Sequence, residues 1–217
     1  MEKTLSLADI RINYSKKILN REAVHENPLQ QFDAWMQEAL VAKVEEPTAM
    51  ALSTASAVGR PSARIVLLKA IEDNGFVFYT NYESRKGQQL HENPFASLTF
   101  FWPALERQVR IEGAVQKVPA ATSDAYFQSR PKGSQLGAWS SPQSQAIKNR
   151  KVLEELELKY SQEFAQQEII PRPPHWGGYA VIPDRIEFWQ GRPNRLHDRL
   201  VYLKDSEGNW QIERLAP

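Results

Sequence analysis

By residue type and spacing, the clearest indication of a functional site is two arginines and a histidine that alternate near the C-terminal end of the sequence. Arg195, His197 and Arg199 follow a turn-forming stretch, residues 191–194, which separates two runs rich in β-forming residues. This pattern predicts a β-hairpin in which the three side chains share one face of a strand. Because such groups repel one another, an anion is expected against them. A solvated edge strand that carries charges against aggregation would show the same pattern.

Two further basic pairs lie in the first half of the sequence. Arg64 and Lys69 stand near the two ends of one predicted strand, and their opposite parity would send them to opposite faces. Either a bulge or contact with different parts of an extended ligand would reconcile this with a shared site. Arg85 and Lys86 follow Ser84 at the start of a short predicted helix, where backbone N–H groups also favour an anion. Each pair alone is typical of a solvated surface. Together they predict a phosphate site, because arginine and lysine make strong charge-assisted hydrogen bonds.

A third polar group follows a predicted helix. Tyr126 and Arg130 are four residues apart and share a helix face, and Ser134 lies just beyond the break at Pro131. Capping of the helix end by the arginine is the structural alternative. The hydroxyl groups of residues 79–80, at the end of a predicted strand, are expected near the Arg85–Lys86 pair. Between two arginines, the ring of His197 is predicted to be neutral.

Composition excludes several classes of protein. The net charge of +1 over 217 residues predicts no nucleic-acid partner, and the 41% hydrophobic content is enough for one core. The absence of cysteine excludes disulfides, thiolate catalysis and iron–sulfur clusters, and the scattered histidines predict no metal site. The N-terminal residues resemble no secretory signal, and no apolar run is long enough to cross a bilayer, so a cytoplasmic protein without a membrane partner is expected.

Turn signals and hydrophobic periodicity predict a mainly β, α+β fold: an antiparallel β-barrel with peripheral helices. Residues 1–27 are polar and predict a flexible N-terminal arm, and residues 28–217 predict one domain. The predicted strands are Ala49–Ser56, Ala63–Ile71, Phe76–Asn81, Phe95–Trp102, Arg107–Val118, Gly178–Ile182, Ile186–Gln190, Leu196–Leu203 and Trp210–Arg214. Helices are predicted at 28–43, from Ser84 to Glu92, from Thr122 to Arg130, and after a cap at Ser141-Pro142. Glycine-rich nucleotide fingerprints are absent, so side chains must hold any phosphate.

Several motifs, in register from about residue 28 to the end, resemble the pyridoxine/pyridoxamine 5′-phosphate oxidase family. They are RIVLLK at 64–69, FYTN at 78–81, SRK at 84–86, LERQV at 105–109, SRP at 129–131, GAW at 137–139, IEFWQG at 186–191, RLHDR at 195–199 and ERLAP at 213–217. The resemblance implies an FMN-binding split β-barrel at 28–217 that forms a homodimer with FMN at the subunit interface. It also implies that pyridoxine 5′-phosphate and pyridoxamine 5′-phosphate are oxidised to pyridoxal 5′-phosphate, with O2 as the final acceptor and H2O2 as the second product.

The resemblance also implies roles for individual residues. FMN contacts fall on Arg64, Ile65, Val66, Leu67, Leu68, Lys69, Tyr79, Thr80, Arg85, Lys86, Gln108, Gln143, Ser144, Trp189 and Arg199. Substrate contacts fall on Arg11, Tyr14, Lys69, Tyr126, Arg130, Ser134, Arg195, Leu196 and His197, of which Arg195 and His197 are the catalytic candidates. Arg11 and Tyr14 place a substrate lid in the arm, although Ile12 and Asn13 differ from the charged pair typical of the family.

Two other functions fit part of this pattern. A different split-barrel FMN oxidoreductase would keep the FMN contacts but lack the substrate set made by the Tyr126 group and the Arg195–His197 pair. A non-catalytic protein that binds FMN or pyridoxal phosphate would keep both sets. The presence of both sets favours the oxidase over the first alternative, and only an assay separates it from the second.

Overall fold

A computed structural model describes residues 13–217, which form five α-helices and nine β-strands. The helices are α1 Pro28–Val41, α2 Arg85–Glu92, α3 Ala120–Ser129, α4 Lys132–Ser140 and α5 Lys151–Glu163. The strands are β1 Ala49–Ala55, β2 Pro61–Leu67, β3 Ala70–Glu72, β4 Gly75–Asn81, β5 Phe95–Trp102, β6 Arg107–Lys117, β7 Trp176–Gln190, β8 Asp198–Lys204 and β9 Trp210–Leu215. Within the described chain, no helix combines the length and apolarity needed to span a membrane.

The strands hydrogen-bond in the order β2-β1-β5-β6-β7-β4-β3, with β8 on β7 and β9 on β8. The chain divides into two compact units. The terminal unit comprises the described residues up to Pro47, Thr99–Ile111 and Arg185–Pro217. The central unit comprises Thr48–Leu98 and Glu112–Asp184. The nine strands, together with five helices outside them, confirm the predicted mainly β fold with additional helices.

The terminal unit has an aromatic core on α1. The helix begins as predicted, because Pro28 occupies its first turn and the Asn27 side chain accepts a hydrogen bond from the backbone N–H of Leu29 at 2.8 Å. Its buried face meets strand residues edge-on: Phe32 lies 5.1 Å from Phe100, between ring centroids. In this unit β8 pairs with both β7 and β9 in antiparallel register.

The central unit is built from two antiparallel hairpins and its helices. Strand β1 pairs with β2, β3 pairs with β4, and β4 pairs with the first half of β7. Helix α2 begins at the predicted Ser84 cap, whose hydroxyl accepts the N–H of Gly87. A Cβ atom at Gly87 would lie 2.1 Å from the carbonyl oxygen of Tyr82, so only glycine allows this helix to approach the preceding turn.

Two strand predictions differ from the structure. The predicted strand 63–71 is divided, since β2 ends at Leu67 and β3 begins at Ala70. At the break, the Leu68 and Lys69 N–H groups bond to the carbonyls of Thr48 and Val77. Conversely, the strands predicted at 178–182 and 186–190 are one, β7, which continues through Pro183. On β6, Gly113 packs against the backbone of β7 just before Pro183: a Cβ at Gly113 would lie 2.0 Å from the Ile182 carbonyl oxygen.

The helix predictions after Pro131 were wrong. Helix α4 was not predicted, because its Gly133 and Gly137 weaken the helical signal and Pro131 indicates a break. The long helix predicted to start at Ser141-Pro142 starts at Lys151. Gln143 and Ser144 therefore lie in an irregular segment, where Ser144 has a positive φ of 71°.

Candidate functional site

A cavity of about 670 Å³ lies in the central unit. Most residues predicted to contact phosphate or flavin line it: Arg64, Ile65, Val66, Leu67, Lys69, Tyr79, Thr80, Lys86, Tyr126, Arg130, Ser134 and Gln143. Three chain segments supply them. These are the end of β2 with the residues after it, the end of β4 with the start of α2, and the α3–α4 junction with the segment after α4.

The break after β2 explains how Arg64 and Lys69 reach the same cavity. Lys69 lies beyond the last strand residue, Leu67, so the alternation of a regular strand does not apply to it. A change of strand, rather than a bulge, thus lets both residues line the same cavity. Leu68, between them, is buried and does not line the cavity.

Among the described residues, Arg64 is held by neutral oxygens only. Its guanidinium donates to the carbonyl of Leu52 at 3.2 Å and to the hydroxyls of Thr54 and Ser62, both at 2.7 Å. Burial lowers the pKa of Arg64, and the neighbouring charge of Arg85 lowers it further. A fixed, partly desolvated guanidinium beside another cation is typical of an anion site.

Lys86 has a similar environment. Its Nζ donates to Thr80 Oγ1 and to Gln143 Oε1, both at 3.1 Å. The Thr80 hydroxyl also donates to Gln143 Oε1, at 3.2 Å. Burial lowers the pKa of Lys86, and the charge of Arg64 adds to this effect. Lys86, Thr80 and Gln143 therefore form one polar cluster. Thr80 and Lys86 meet as the sequence predicted, and Gln143, which the family resemblance placed among the FMN contacts, joins them from the segment after α4.

The second group of the cavity surrounds Arg130. Its guanidinium lies 4.6 Å from the centroid of the Trp176 ring, and its buried Nη1 atom has no hydrogen-bond partner among the described residues. Burial lowers the pKa of Arg130. The Tyr126 ring stacks on Tyr79 at 3.8 Å. Burial raises the pKa of Tyr79 to about 12, so its hydroxyl stays protonated at neutral pH.

The charge balance of the cavity is one-sided. Four of its lining residues are cationic, namely Arg64, Lys69, Lys86 and Arg130, and no aspartate or glutamate occurs among the described residues that line it. A partly buried donor such as Arg130 Nη1 without an acceptor carries a free-energy cost that a bound anion would remove. The cavity is therefore suited to one or more phosphate groups.

The other predicted site residues lie in the terminal unit. The rings of Tyr14, Trp189 and His197 contact one another, with centroids 5.7 Å apart for Tyr14–Trp189, 6.0 Å for Tyr14–His197 and 4.6 Å for Trp189–His197. The backbone N–H of Arg192 donates to His197 Nδ1 at 3.1 Å, so the neutral ring carries its proton on Nε2. Burial lowers the pKa of His197, and the charge of Arg195 contributes.

The predicted row of Arg195, His197 and Arg199 on one strand face was wrong. Arg195 ends a 3-10 turn and has a positive φ of 62°, whereas β8 begins only at Asp198. The sequence predicted an anion next to these three residues, and for Arg199 this anion is a carboxylate of the protein itself, that of Glu187. Both carboxylate oxygens of the buried Glu187 accept its hydrogen bonds, at 2.8 and 3.0 Å. These bonds raise the pKa of Arg199.

Several predicted contacts lie apart from the cavity lining. Arg85 and Ser144 flank lining residues without lining the cavity, and Gln108 and the exposed Leu196 belong to the terminal unit. Arg11 lies outside the described residues. Within residues 13–217, no group of three or more acidic, histidine or cysteine side chains could bind a metal.

Sequence reasoning missed other residues of this arrangement. Asn81, Gly137, Ala138, Ser141 and Trp176 also line the cavity. Asn81 and the first two residues of GAW belong to motifs of the family resemblance, but no role was assigned to them. Glu187, in the motif IEFWQG, was missed because its importance depends on strand pairing: it lies opposite Val201 and bonds diagonally to Arg199 on β8.

Comparison with known proteins places these features in a family. The profile described as pyridoxamine 5′-phosphate oxidase matches residues 36–157, and that described as the pyridoxine 5′-phosphate oxidase C-terminal dimerisation region matches residues 176–217. The chain belongs to the pyridoxamine 5′-phosphate oxidase family. The resemblance stated from the sequence is thereby confirmed.

Relatives in this family match nearly the whole chain. A protein of Paraburkholderia phytofirmans named pyridoxine/pyridoxamine 5′-phosphate oxidase is 56% identical over 213 residues, which is 98% of this chain and 99% of the relative. One of Synechocystis with the same name is 56% identical over 214 residues, 98% of this chain and 99% of the relative. Among solved structures, PhzG from Burkholderia lata in complex with tetrahydrophenazine-1-carboxylic acid has a TM-score of 0.86 at 31% identity, covering 94% of this chain and 100% of that one. The fold is the split β-barrel of the family.

Proposed function

We propose that this protein oxidises pyridoxine 5′-phosphate and pyridoxamine 5′-phosphate to pyridoxal 5′-phosphate, with FMN as its cofactor and O2 as the final electron acceptor. Full-length relatives at 56% identity carry the name of this activity. The observation that carries the proposal is the central cavity, where four cationic side chains meet without a lining carboxylate and Arg130 Nη1 has no partner in the described chain. Both ligands of the proposed reaction are phosphate esters, which such a cavity would bind.

The residues present fit FMN. A volume of about 670 Å³ lies within the range of cofactor and small-ligand sites. Arg64 and Lys86 would hold the FMN phosphate, because both are fixed by neutral oxygens and lack a carboxylate partner among the described residues. Thr80 and Gln143 would extend this contact. When bound, FMN would supply the redox chemistry, namely acceptance of a hydride from the C4′ carbon of the substrate and reoxidation by O2 to give H2O2.

The Arg130 group would bind the phosphate of the substrate. Arg130 offers an unused N–H donor, Tyr126 and Ser134 offer hydroxyls, and Lys69 adds a positive charge to the same cavity. Two separately anchored phosphates restrict the rotation of both ligands. This restriction lowers the entropic cost of bringing the reacting rings together, which is a large share of catalysis in such reactions.

Arg195 and His197 would act on the pyridine ring. The Nε2–H of His197 is available as a donor because Nδ1 is occupied by the Arg192 N–H, and the lowered pKa keeps the ring neutral. We assign to His197 a hydrogen bond to an oxygen substituent of the pyridine ring. Arg195 would stabilise negative charge that develops during hydride transfer, since cations placed beforehand at such charge lower the barrier.

We further propose a homodimer with FMN at the subunit interface. The profile over residues 176–217 is described as a dimerisation region, and it contains Trp189, Arg195, His197 and Arg199. In this arrangement the cavity residues and the segment 195–199 come together across two subunits. Gel filtration with light scattering would test the dimer independently of catalysis.

An aerobic assay tests the function. Purified protein is expected to be yellow and, with pyridoxine 5′-phosphate in air, to form equimolar H2O2 and an aldehyde that absorbs as pyridoxal 5′-phosphate. Unphosphorylated pyridoxine is the matched control and should react far more slowly, because it cannot use Arg130. A yellow protein that is inert toward both phosphorylated substrates would instead indicate another flavin oxidoreductase or a binding protein.

A further inference from the structure

One carboxylate in the terminal unit holds the chain that leads away from Tyr14. Glu106 lies in the turn between β5 and β6 and is only 6% exposed. Its Oε2 atom accepts hydrogen bonds from the backbone N–H groups of Ser15 at 2.8 Å and Lys16 at 2.9 Å. Two N–H groups on one carboxylate oxygen form a charge-assisted contact that does not depend on the side chains at 15 and 16.

The backbone of the same residue holds the start of the segment that carries Arg195 and His197. The carbonyl oxygen of Glu106 accepts the N–H of Gly191 at 2.7 Å and the Nε2 donor of Gln190 at 3.1 Å. Glu106 has a positive φ of 55°, a conformation that is unfavourable for glutamate and therefore maintained by its surroundings. Side chain and backbone of one residue thus bind two different segments.

Tyr14 fits closely between these segments. A Cβ atom on Gly191 would lie 2.7 Å from both Cβ and Cγ of Tyr14, so a side chain at 191 would displace the tyrosine. Tyr14 in turn makes edge contacts with Trp189 and His197. The position of the Tyr14 ring is therefore defined on one side by the absence of a side chain at 191 and on the other by the anchored backbone that follows it.

We infer that Glu106 is a positioning residue that fixes Tyr14 against His197 and thereby sets how tightly the substrate is held. The inference rests on the proposed function, in which Tyr14 and His197 are substrate contacts. Other ties of the arm do not depend on the Glu106 carboxylate: Lys16 Nζ donates to the Ala104 carbonyl, and Lys17 and Leu19 bond through their backbones to Arg192 and Asp198. Loss of the Glu106 carboxylate should therefore loosen the backbone of residues 14–16 and leave the rest of the arm in place.

The test is a double-mutant cycle on the FMN-loaded enzyme. Glu106→Gln removes the charge at nearly constant shape and should raise the KM for pyridoxine 5′-phosphate about 10-fold, since a charge-assisted bond contributes about that factor. Turnover should change less than about 3-fold, because a higher KM with nearly constant kcat is the signature of lost substrate binding. In a Tyr14→Ala background the same substitution should add nothing, because Glu106 acts through Tyr14.

Two measurements do not depend on turnover. Hydrogen exchange of the Ser15 and Lys16 amides should be about 10-fold faster in Glu106→Gln, because the neutral amide oxygen of glutamine accepts their hydrogen bonds more weakly than the carboxylate does. The Kd for pyridoxal 5′-phosphate, from quenching of tryptophan fluorescence, should follow the same cycle as KM. If wild-type protein oxidises neither vitamer, the proposed function fails, while the Kd cycle still decides the role of Glu106.

Control variants separate positioning from general damage. Asp33→Asn removes an exposed acid on α1 of the same unit and should change none of these quantities. Gly191→Ala keeps the Glu106 carboxylate but places a Cβ 2.7 Å from Tyr14 and 3.0 Å from the Cβ of Glu106, so it disturbs the contact between them from the other side. It should reproduce the rise in KM, which keeps the test decisive if the Glu106 variant does not fold. An undiminished effect of Glu106→Gln in the Tyr14→Ala background, or unchanged amide exchange, would overturn the inference.

Discussion

The arginines of the central cavity and those of the terminal unit differ in what faces them. Arg64 bonds to a carbonyl and two hydroxyls, and Arg130 lies over an aromatic ring with one donor unused among the described residues. Arg199 instead has both oxygens of Glu187. The pKa values diverge accordingly: burial lowers those of Arg64 and Arg130, whereas hydrogen bonding to Glu187 raises that of Arg199.

Two other arginines of the terminal unit, the buried Arg107 and the exposed Arg214, also pair with a carboxylate, although burial lowers the pKa of Arg107 more than Glu38 raises it. Arg107, with a side chain only 5% exposed, pairs with Glu38 at 3.1 Å, and Arg214 pairs with Asp198 at 2.9 Å. A buried cation whose anion is removed is left uncompensated, and this destabilises the fold. The difference shows that the residue type alone does not identify a binding site. An arginine is a strong candidate for ligand binding where the protein supplies no carboxylate to it.

The largest expected effect follows from removing Arg130. Arg130→Leu should raise the KM for pyridoxine 5′-phosphate about 100-fold, because a buried charge-assisted contact with a dianion contributes on the order of 3 kcal/mol. The melting temperature of the ligand-free protein should stay the same or rise, since an unpartnered buried donor is removed. Steady-state kinetics and calorimetry measure the two quantities. Lys132→Leu, an exposed cation two residues away that does not line the cavity, is the control.

The opposite result is expected for the paired arginine. Glu187→Gln leaves Arg199 without its anion and should lower the free energy of unfolding by about 2 kcal/mol, or the melting temperature by about 6 °C. Glu213→Gln, an exposed acid on β9, should change it by less than about 0.5 kcal/mol. A melting temperature unaffected by Glu187→Gln, or lowered as much by Arg130→Leu, would remove the distinction between the two kinds of arginine.

Local signals account for the parts of the fold that were predicted well. The cap at Asn27 with Pro28 placed the start of α1, and Ser84 placed the start of α2. Strand β5 has the predicted bounds, Phe95–Trp102. In each case the decisive contacts lie within a few residues of one another, or the strand alternates cleanly between buried and more exposed side chains. The cationic residues of the cavity were also predictable, since each belongs to a short motif.

What could not be predicted depends on distant contacts. Arg199 and Glu187 are 12 residues apart and meet only because β7 and β8 pair in one particular register. The turn that carries Arg195 has positive φ values at Asn194 and Arg195, which a strand pattern does not indicate. The Glu106 carboxylate reaches backbone groups about 90 positions earlier in the chain. The sequence thus identified the cations that line the cavity better than the acids that arrange the other arginines.

Inorganic phosphate should stabilise the ligand-free protein through the central cavity. At ten times its Kd, phosphate adds about 1.4 kcal/mol to the free energy of unfolding, or roughly 4 °C in melting temperature. Chloride at equal ionic strength should do much less, because it cannot accept several hydrogen bonds at once. The shift should persist in Glu213→Gln and shrink in Arg64→Met, and an equal shift in the Arg64 variant would place the bound phosphate elsewhere.

The smallest expected effect concerns His197. Since burial and Arg195 lower its pKa in the folded protein, the unfolded chain binds a proton at a higher pH than the folded one. Acidification from the ordinary value of 6.5 down to the folded pKa should therefore cost stability, whereas no contribution is expected above about pH 7.5. Titration of the His197 ring by NMR should show a midpoint below 6.5. Arg195→Leu should move that midpoint upward but leave it below 6.5, because burial is the larger cause. A wild-type midpoint at or above 6.5 would contradict the neutral ring and, with it, the Nε2–H donor assigned to His197.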